Sequence, residues 1–416
     1  MKIKTIVTST GLNGFAHKDL AAIKTGVAPN GFFYDGDPVT PGFSAVSQTG
    51  YVLSLMLHLE DGSIAHGDCL DVIFAGAAGR DPLFNPLEHR AAVEKVIIPA
   101  LQDQDVSSFR PLAEKLDRLQ YEGRPLHTAL RYGLSQALLH ATSIARRCTM
   151  AQVVAEEYGT TLGNQLVPIL ISIPKTDPFV LDRMIMKQIE ILPHASFTVV
   201  EADLGNDGGK LIDYAGQLAQ RIGEVGAQGY RPQIHLDTYG TIGELFKNNV
   251  ADIAAYLEKV QKAAVPYELI IESPIIAATM DEQISLYRSL REEIAQRGIG
   301  VKLVVDEWCN TLEDIRKFGA AHATDYVQIK APDLGGLTNT IEAINYCREI
   351  GLGCCLGGTA NETDQSSRIT THVGLACGPD FLLGKPGLGG DAALMIMRNE
   401  MSRTIALHEA FSDHSR

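Results

Sequence analysis

Four short apolar runs in the second half of the chain each end in a chemically useful residue. They are QIHLD ending at Asp237, ELIIE ending at Glu272, KLVVD ending at Asp306 and YVQIK ending at Lys330. The four end residues lie 35, 34 and 24 positions apart, each step long enough for one strand and one returning helix. Runs so short and so apolar read as buried parallel strands. Eight such units close into a barrel whose active site lies at the carboxyl ends of the strands. Three carboxylates on three adjacent strand ends then converge on one point. A lone Asp or Glu at a strand end is usually a helix cap, but three in succession followed by a Lys is not explained that way. Clustered carboxylates repel unless a cation sits among them, and hard oxygen donors on rigid strands favour Mg²⁺.

The rest of the barrel is expected around these runs. VPILIS (167–172) is the first strand, GCCLG (353–357) the seventh and FLLGK (381–385) the eighth. The second is ambiguous between EILPH (190–194) and FTVVEA (197–202), and the run ending at His194 is favoured. The tail DAALMIMRNEMSRTIALHEAF has apolar residues at helical spacing and reads as a closing helix. Residues 1–160 lack the barrel rhythm. Strand-like KIKTIVTST and YVLSLMLHLE precede helical patterns near 86–120 and 126–147, the signature of an α+β cap. The expected fold is therefore α/β, with an N-terminal α+β capping domain over 1–160 and a TIM-like (β/α)-barrel carrying the site over 161–416. The segment DVIFAGAAGRDPLF, with Gly76 and Gly79, is either a lid over the barrel mouth or an ordinary surface loop.

Composition narrows the function. The net charge is −14 and there is no basic block, which argues against nucleic acid or an anionic membrane as a partner. No window has the apolar length of a transmembrane helix, and the N-terminus lacks signal-peptide features. Seven cysteines without a CxxC pair suit a reducing cytoplasm.

A divalent ion on a carboxylate stabilises the charge that forms when a neighbouring proton is removed. Asp237, Glu272 and Asp306 are the candidate ligands. Lys330 is the natural base; an ion-pair role beside the same carboxylates is compatible with that. Gln328 lies two residues earlier on the same strand face. It is either a donor to a substrate carboxylate or a satisfied group of the barrel interior. His194 would face Lys330 across the barrel, because strands two and six are opposite. GGTANET (357–363) follows strand seven, where two glycines and the Thr359 hydroxyl suit a bound carboxylate.

These stretches are recognisable together. GRDPLF (79–84), LHTALRYGLSQAL (126–138), LPHA (192–195), DTYGTIG (237–243), DEWCNT (306–311), VQIKAPDLGG (327–336), GGTANET and KPGLG (385–389) span nearly the whole chain. The chain resembles the methylaspartate ammonia-lyases of the enolase superfamily, in which a Lys or His base works with Mg²⁺. The resemblance implies a carbon–nitrogen lyase that takes the C3 proton of 3-methylaspartate and expels ammonia to give mesaconate. It implies a metal triad at Asp237, Glu272 and Asp306, Lys330 as base for the (2S,3S) substrate and His194 as the acid/base on the opposite face. It also implies substrate contacts at Gln328, Thr359 and Leu383, activation by K⁺, and a cytoplasmic homodimer acting on a small amino-acid or carboxylate substrate. Three positions depart from the family pattern: Ile73 and Ser172 stand where Gln is typical, and Ala360 where Cys is typical. The proton-abstracting groups are kept while the substrate-reading groups are changed, so the expected substrate is bulkier, less polar, or lacks one of the groups of 3-methylaspartate. Racemisation, dehydration or cycloisomerisation of another carboxylate starts with the same proton removal and remains the rival reading. A non-catalytic barrel, or a Schiff-base lysine, uses these residues less completely.

Overall fold

In the computed structural model, which describes residues 1–412, the N-terminal part is built on an antiparallel sheet of β1 (Ile3–Leu12), β2 (Tyr51–Leu59) and β3 (Ile64–Cys69), in that order. Alternation along β2 buries Leu53, Leu55, Leu57 and Leu59 on one face. Helix α1 (Thr128–Arg146) packs on that face through Leu130, Leu134, Leu138 and Ala141, spaced at helical period. Against β3 the helix backbone comes closest. A Cβ at Gly67 would lie 2.1 Å from the Gly133 carbonyl oxygen, and one at Gly133 would lie 2.4 Å from the Cys69 sulfur. The helix starts at His127, whose ring accepts from the Ala129 amide, and stops at Arg147 in the left-handed region.

The expected helical stretch 86–120 is broken. It forms helical turns over Arg90–Leu101 and a separate helix at Arg110–Asp117. Between them Asp103 takes a positive φ of 59°, and Pro111 opens the second helix, where its missing N–H costs nothing. Residues 13–48 form an arm with a short helix (Leu20–Lys24) and a hairpin (Ala28–Asn30 with Phe33–Asp35). This arm had no strong periodic signal. It leans on the barrel, with Lys24 Nζ 3.1 Å from the Tyr239 carbonyl oxygen and 2.5 Å from Glu244 Oε1.

Eight parallel strands then close into a barrel: β4 (Ile169–Ile171), β5 (Ile191–Ser196), β6 (Gln233–Asp237), β7 (Leu269–Glu272), β8 (Val301–Val305), β9 (Tyr326–Ile329), β10 (Gly353–Leu356) and β11 (Phe381–Gly384). Pairing of Leu170 with Leu383 joins β11 back to β4. Helices on the outside follow the strands, ending with Gly389–Ser412. The second strand is the run through His194. Its rival, FTVVEA, leaves the sheet at Phe197, whose amide bonds the Asp237 carbonyl at 2.9 Å, and then turns into a π-helical loop at Val200–Leu204. No helix among the described residues is long and apolar enough to cross a membrane.

Candidate active site

Strand register sets the site. Asp237 and Glu272 are direct partners across β6 and β7, so their side chains leave the sheet at one level. Asp306 and Lys330 each lie one residue beyond the last residue of β8 and β9. His194 sits inside β5 rather than at its end. There the register slips, because Leu192 pairs with Ile234 but Ala195 pairs with Leu236. Three residues of β5 thus span two of β6, a bulge at Pro193 that re-aims the neighbouring side chain.

The groups gather at the carboxyl end of the barrel around a cavity of about 600 Å³. His194, Asp237, Glu272, Gln328 and Lys330 line it, as do Ile73, Ser172, Thr359, Ala360 and Leu383. Asp306 lies behind them, ion-paired to Lys330 and 3.5 Å from an Arg80 nitrogen. Lys330 and His194 stand on β9 and β5, the sixth and second barrel strands, and so approach from opposite sides. His194 Nε2 is 3.3 Å from Glu272 Oε2 and 3.7 Å from Asp237 Oδ2. The Gln328 amide lies 3.4 Å from both Glu272 oxygens, while its own oxygen has no partner among the described residues.

The segment containing Gly76 and Gly79 covers the barrel mouth, contributing Val72, Ile73, Phe74 and Arg80 to the cavity. It is tied down: Asn310 donates to the Ala78 carbonyl at 2.6 Å, and Arg80 Nε donates to Asp333 at 2.8 Å. Ser172 turns its hydroxyl to the His194 carbonyl at 3.1 Å, so its hydrogen is committed within the protein. Behind the GGTANET loop, Lys385 and Glu362 form a fully buried ion pair at 3.3 Å. Lys385 Nζ also donates to the Gly357 carbonyl at 2.6 Å, and Glu362 accepts from Tyr132 and Ser366. Gly358, at φ 138°, passes so close that a Cβ would sit 2.3 Å from Glu362 Oε1.

The electrostatics describe a site short of positive charge. Burial, with Glu272, Glu307 and Asp306 nearby, pushes the Asp237 carboxyl well above its ordinary range. Burial and Asp306 likewise raise Glu307. Burial would raise Glu272 too, but His194 and His235 outweigh it and hold that carboxyl well below the usual range. Burial works to lower Lys330, yet Asp306 and Glu307 keep its ammonium form favoured, with Arg80 opposing them. Asp237 Oδ2 and Asp306 Oδ1 are buried and accept no hydrogen bond from the described residues. Carboxylate oxygens without a hydrogen bond on the strands either side of Glu272 are donors that a hard divalent ion takes, so the residues fit Mg²⁺.

Sequence reasoning left several members of this site unassigned. Arg80 lies in the GRDPLF stretch, but its reach to Asp306 depends on the cap folding over the barrel. His235 was legible in principle: it precedes Asp237 by two residues on one strand face, and its Nε2 is 3.2 Å from Glu272 Oε2. Glu307, held by Ser273, and Tyr239 carried no periodic signal.

Comparison with known proteins assigns the family. The methylaspartate ammonia-lyase N-terminal and C-terminal family models match residues 1–159 and 161–410. The chain belongs to the methylaspartate ammonia-lyase family. It is 46% identical to methylaspartate ammonia-lyase 2 of Carboxydothermus hydrogenoformans over 98% of both chains. It is 43% identical to the Clostridium tetanomorphum enzyme over 98% of this chain and 99% of that one. The Mg complex of the Clostridium tetanomorphum β-methylaspartase superposes with a TM-score of 0.92 at 42% identity, covering 99% of this chain and all of that one. The Citrobacter amalonaticus enzyme containing (2S,3S)-3-methylaspartic acid gives 0.94 at 42% identity, over 98% of this chain and 100% of that one. An L-Ala-D/L-Glu epimerase from Bacillus subtilis, 14% identical with a TM-score of 0.63, shares the fold alone.

Proposed function

We propose that this protein is a Mg²⁺-dependent carbon–nitrogen lyase that removes the C3 proton of a 3-substituted aspartate and expels ammonia. The observation that carries the reading is the pairing of Lys330 and His194 on opposite sides of one cavity lined by the buried carboxylates of Asp237 and Glu272, with Asp306 buried behind Lys330. Its support from relatives is the family match along the whole chain and the Mg and methylaspartic acid complexes of two of them.

Asp237, Glu272 and Asp306 are the residues that would hold the ion. When bound, Mg²⁺ supplies Lewis-acid stabilisation of charge developing on the carboxylate next to C3. Lys330 Nζ in its free-base form takes the C3 proton of one epimer; Asp306 and Glu307 favour its ammonium form, and a divalent ion held by the carboxylates would offset them. The C2–N bond then breaks, its electron pair leaves with ammonia, and a C2=C3 double bond remains; 3-methylaspartate gives mesaconate. His194 serves the opposite face. In this reading the Gln328 amide and the Thr359 hydroxyl hold a substrate carboxylate. Ile73, Ala360, Leu383 and Phe15 add apolar side chains to the cavity lining, and the Ser172 hydroxyl donates to a backbone carbonyl. The preferred C3 substituent is therefore apolar and larger than methyl. K⁺ activation, a homodimer and a cytoplasmic location complete the proposal; six of the seven free cysteines are buried thiols, which suits a reducing compartment.

The test is release of ammonia and an unsaturated diacid from 3-methyl-, 3-ethyl- and 3-propylaspartate with Mg²⁺ and K⁺. Chelator-sensitive release from at least one supports the lyase reading. Conversion of these acids without ammonia release points instead to a racemase or epimerase of the same superfamily.

A further inference from the structure

The site presents two different donor sets that overlap at Glu272 and Asp237. Towards β8 the donors are oxygens only, Glu272 with Asp237 and Asp306. Towards β5 they are two imidazole nitrogens and the Glu272 carboxylate. One ligand atom from each of His194, His235 and Glu272 lies within 4.8 Å of the others, and all three residues are buried. His194 Nε2 and His235 Nε2 stand 3.3 Å and 3.2 Å from Glu272 Oε2. Vertices of a tetrahedron about 2.0–2.1 Å from a central zinc are separated by roughly 3.3 Å. Both nitrogen-to-oxygen separations therefore match those between ligands on one ion.

Hydrogen bonding leaves these atoms available. His194 Nε2 and both ring nitrogens of His235 are buried without a hydrogen-bond partner among the described residues, despite facing Glu272. His235 is completely buried and cannot be satisfied by bulk water. Asp237 Oδ2, 3.7 Å from His194 Nε2 and equally unpartnered, is a fourth donor in reach. Imidazole with carboxylate suits borderline transition ions, whereas Mg²⁺ prefers the all-oxygen set.

We propose that His194, His235 and Glu272 form a second cation position that takes a transition ion of the Zn²⁺ or Co²⁺ kind. An ion there uses the nitrogen with which His194 would act as acid or base, so its occupation inhibits the enzyme. Because Glu272 belongs to both sets, an ion at either position weakens binding at the other. Only the inhibitory consequence rests on the lyase reading; the binding itself does not.

The test is a Co²⁺ titration of the full chain in excess Mg²⁺, read by visible absorption. A tetrahedral site containing imidazole gives an intense d–d band, and an octahedral oxygen site gives a weak one. The intense band is expected in the unmodified protein. His235→Gln should abolish it and weaken Zn²⁺ and Co²⁺ binding by about tenfold or more while Mg²⁺ affinity stays within about twofold. In the lyase assay Zn²⁺ should inhibit at saturating Mg²⁺, with His235→Gln resistant. A weak octahedral spectrum in the unmodified protein overturns the proposal whether or not the variant folds. Parallel loss of Mg²⁺ and Co²⁺ affinity in His235→Gln also overturns it, making His235 a prop for Glu272. An intense band in a protein with no lyase activity would leave the metal position standing and remove the proposed reaction.

Discussion

Removing the Lys385 charge should destabilise the barrel by about 3–5 kcal/mol at neutral pH, the range for leaving one member of a buried pair alone. Both side chains are fully buried and their charged atoms lie 3.3 Å apart. Coulomb's law at an effective dielectric of about 20 gives roughly 5 kcal/mol for that separation, consistent with the same range. Lys385→Met also deletes the hydrogen bond to the Gly357 carbonyl. The deficit depends on pH with a definite sign. Burial raises the Glu362 carboxyl above its ordinary value even with Lys385 beside it. A carboxyl raised in the folded state favours folding below its unfolded pKa and loses that contribution as pH rises through the folded pKa. Without Lys385 the folded value moves higher still, so the deficit is largest in neutral to alkaline solution and narrows on acidification. Urea unfolding followed by the fluorescence of Trp308, the chain's one tryptophan, reads this in the barrel. Lys385→Met with Glu362→Gln should recover most of the loss. A single variant within about 1 kcal/mol of the unmodified protein, or a double variant no better than the single, would refute the reasoning.

Three further outcomes concern activity. Asp306→Asn should lower turnover by about three orders of magnitude, equivalent to several kcal/mol of transition-state stabilisation, while circular dichroism stays unchanged; near-normal turnover would remove Asp306 from the ion site. Lys330→Ala should cost about 10²–10⁴ in kcat for one C3 epimer and much less for the other, checked with the separated epimers. Ile73→Gln with Ser172→Gln should raise kcat/KM for 3-methylaspartate and lower it for the 3-propyl analogue, checked by paired steady-state assays.

The barrel was legible because its strands are short, apolar and regularly spaced, and because the side chains at their ends belong to one chemistry. Asp237, Glu272, Asp306 and Lys330 required only the rule that parallel strands point the same way. His194 was harder, since two adjacent runs both read as strands, with the run ending at His194 favoured. The choice is made by the bulge at Pro193 and by the Phe197 amide turning to the Asp237 carbonyl, both products of the neighbouring strand. Arg80 was hidden for a different reason. Its partners Asp306 and Asp333 lie more than two hundred residues away, and no local pattern reports a contact between cap and barrel. The helical stretch 86–120 failed because apolar periodicity continued across a turn set by Asp103 and Pro111. Gln328 was read as either a substrate donor or an interior group, and its amide faces Glu272 while the residue still lines the cavity.

The most direct test of the central claim is proton exchange at C3. The purified protein would be incubated with each epimer of 3-methylaspartate in deuterated water, with Mg²⁺ or with chelator, and C3 deuterium and ammonia followed together by NMR. Mg²⁺-dependent loss of the C3 proton, with ammonia release or deuterium in recovered substrate, is the predicted result, and Lys330→Ala should suppress it for one epimer. Ammonia release that persists in chelator, or proceeds normally in Lys330→Ala for both epimers, would contradict the account.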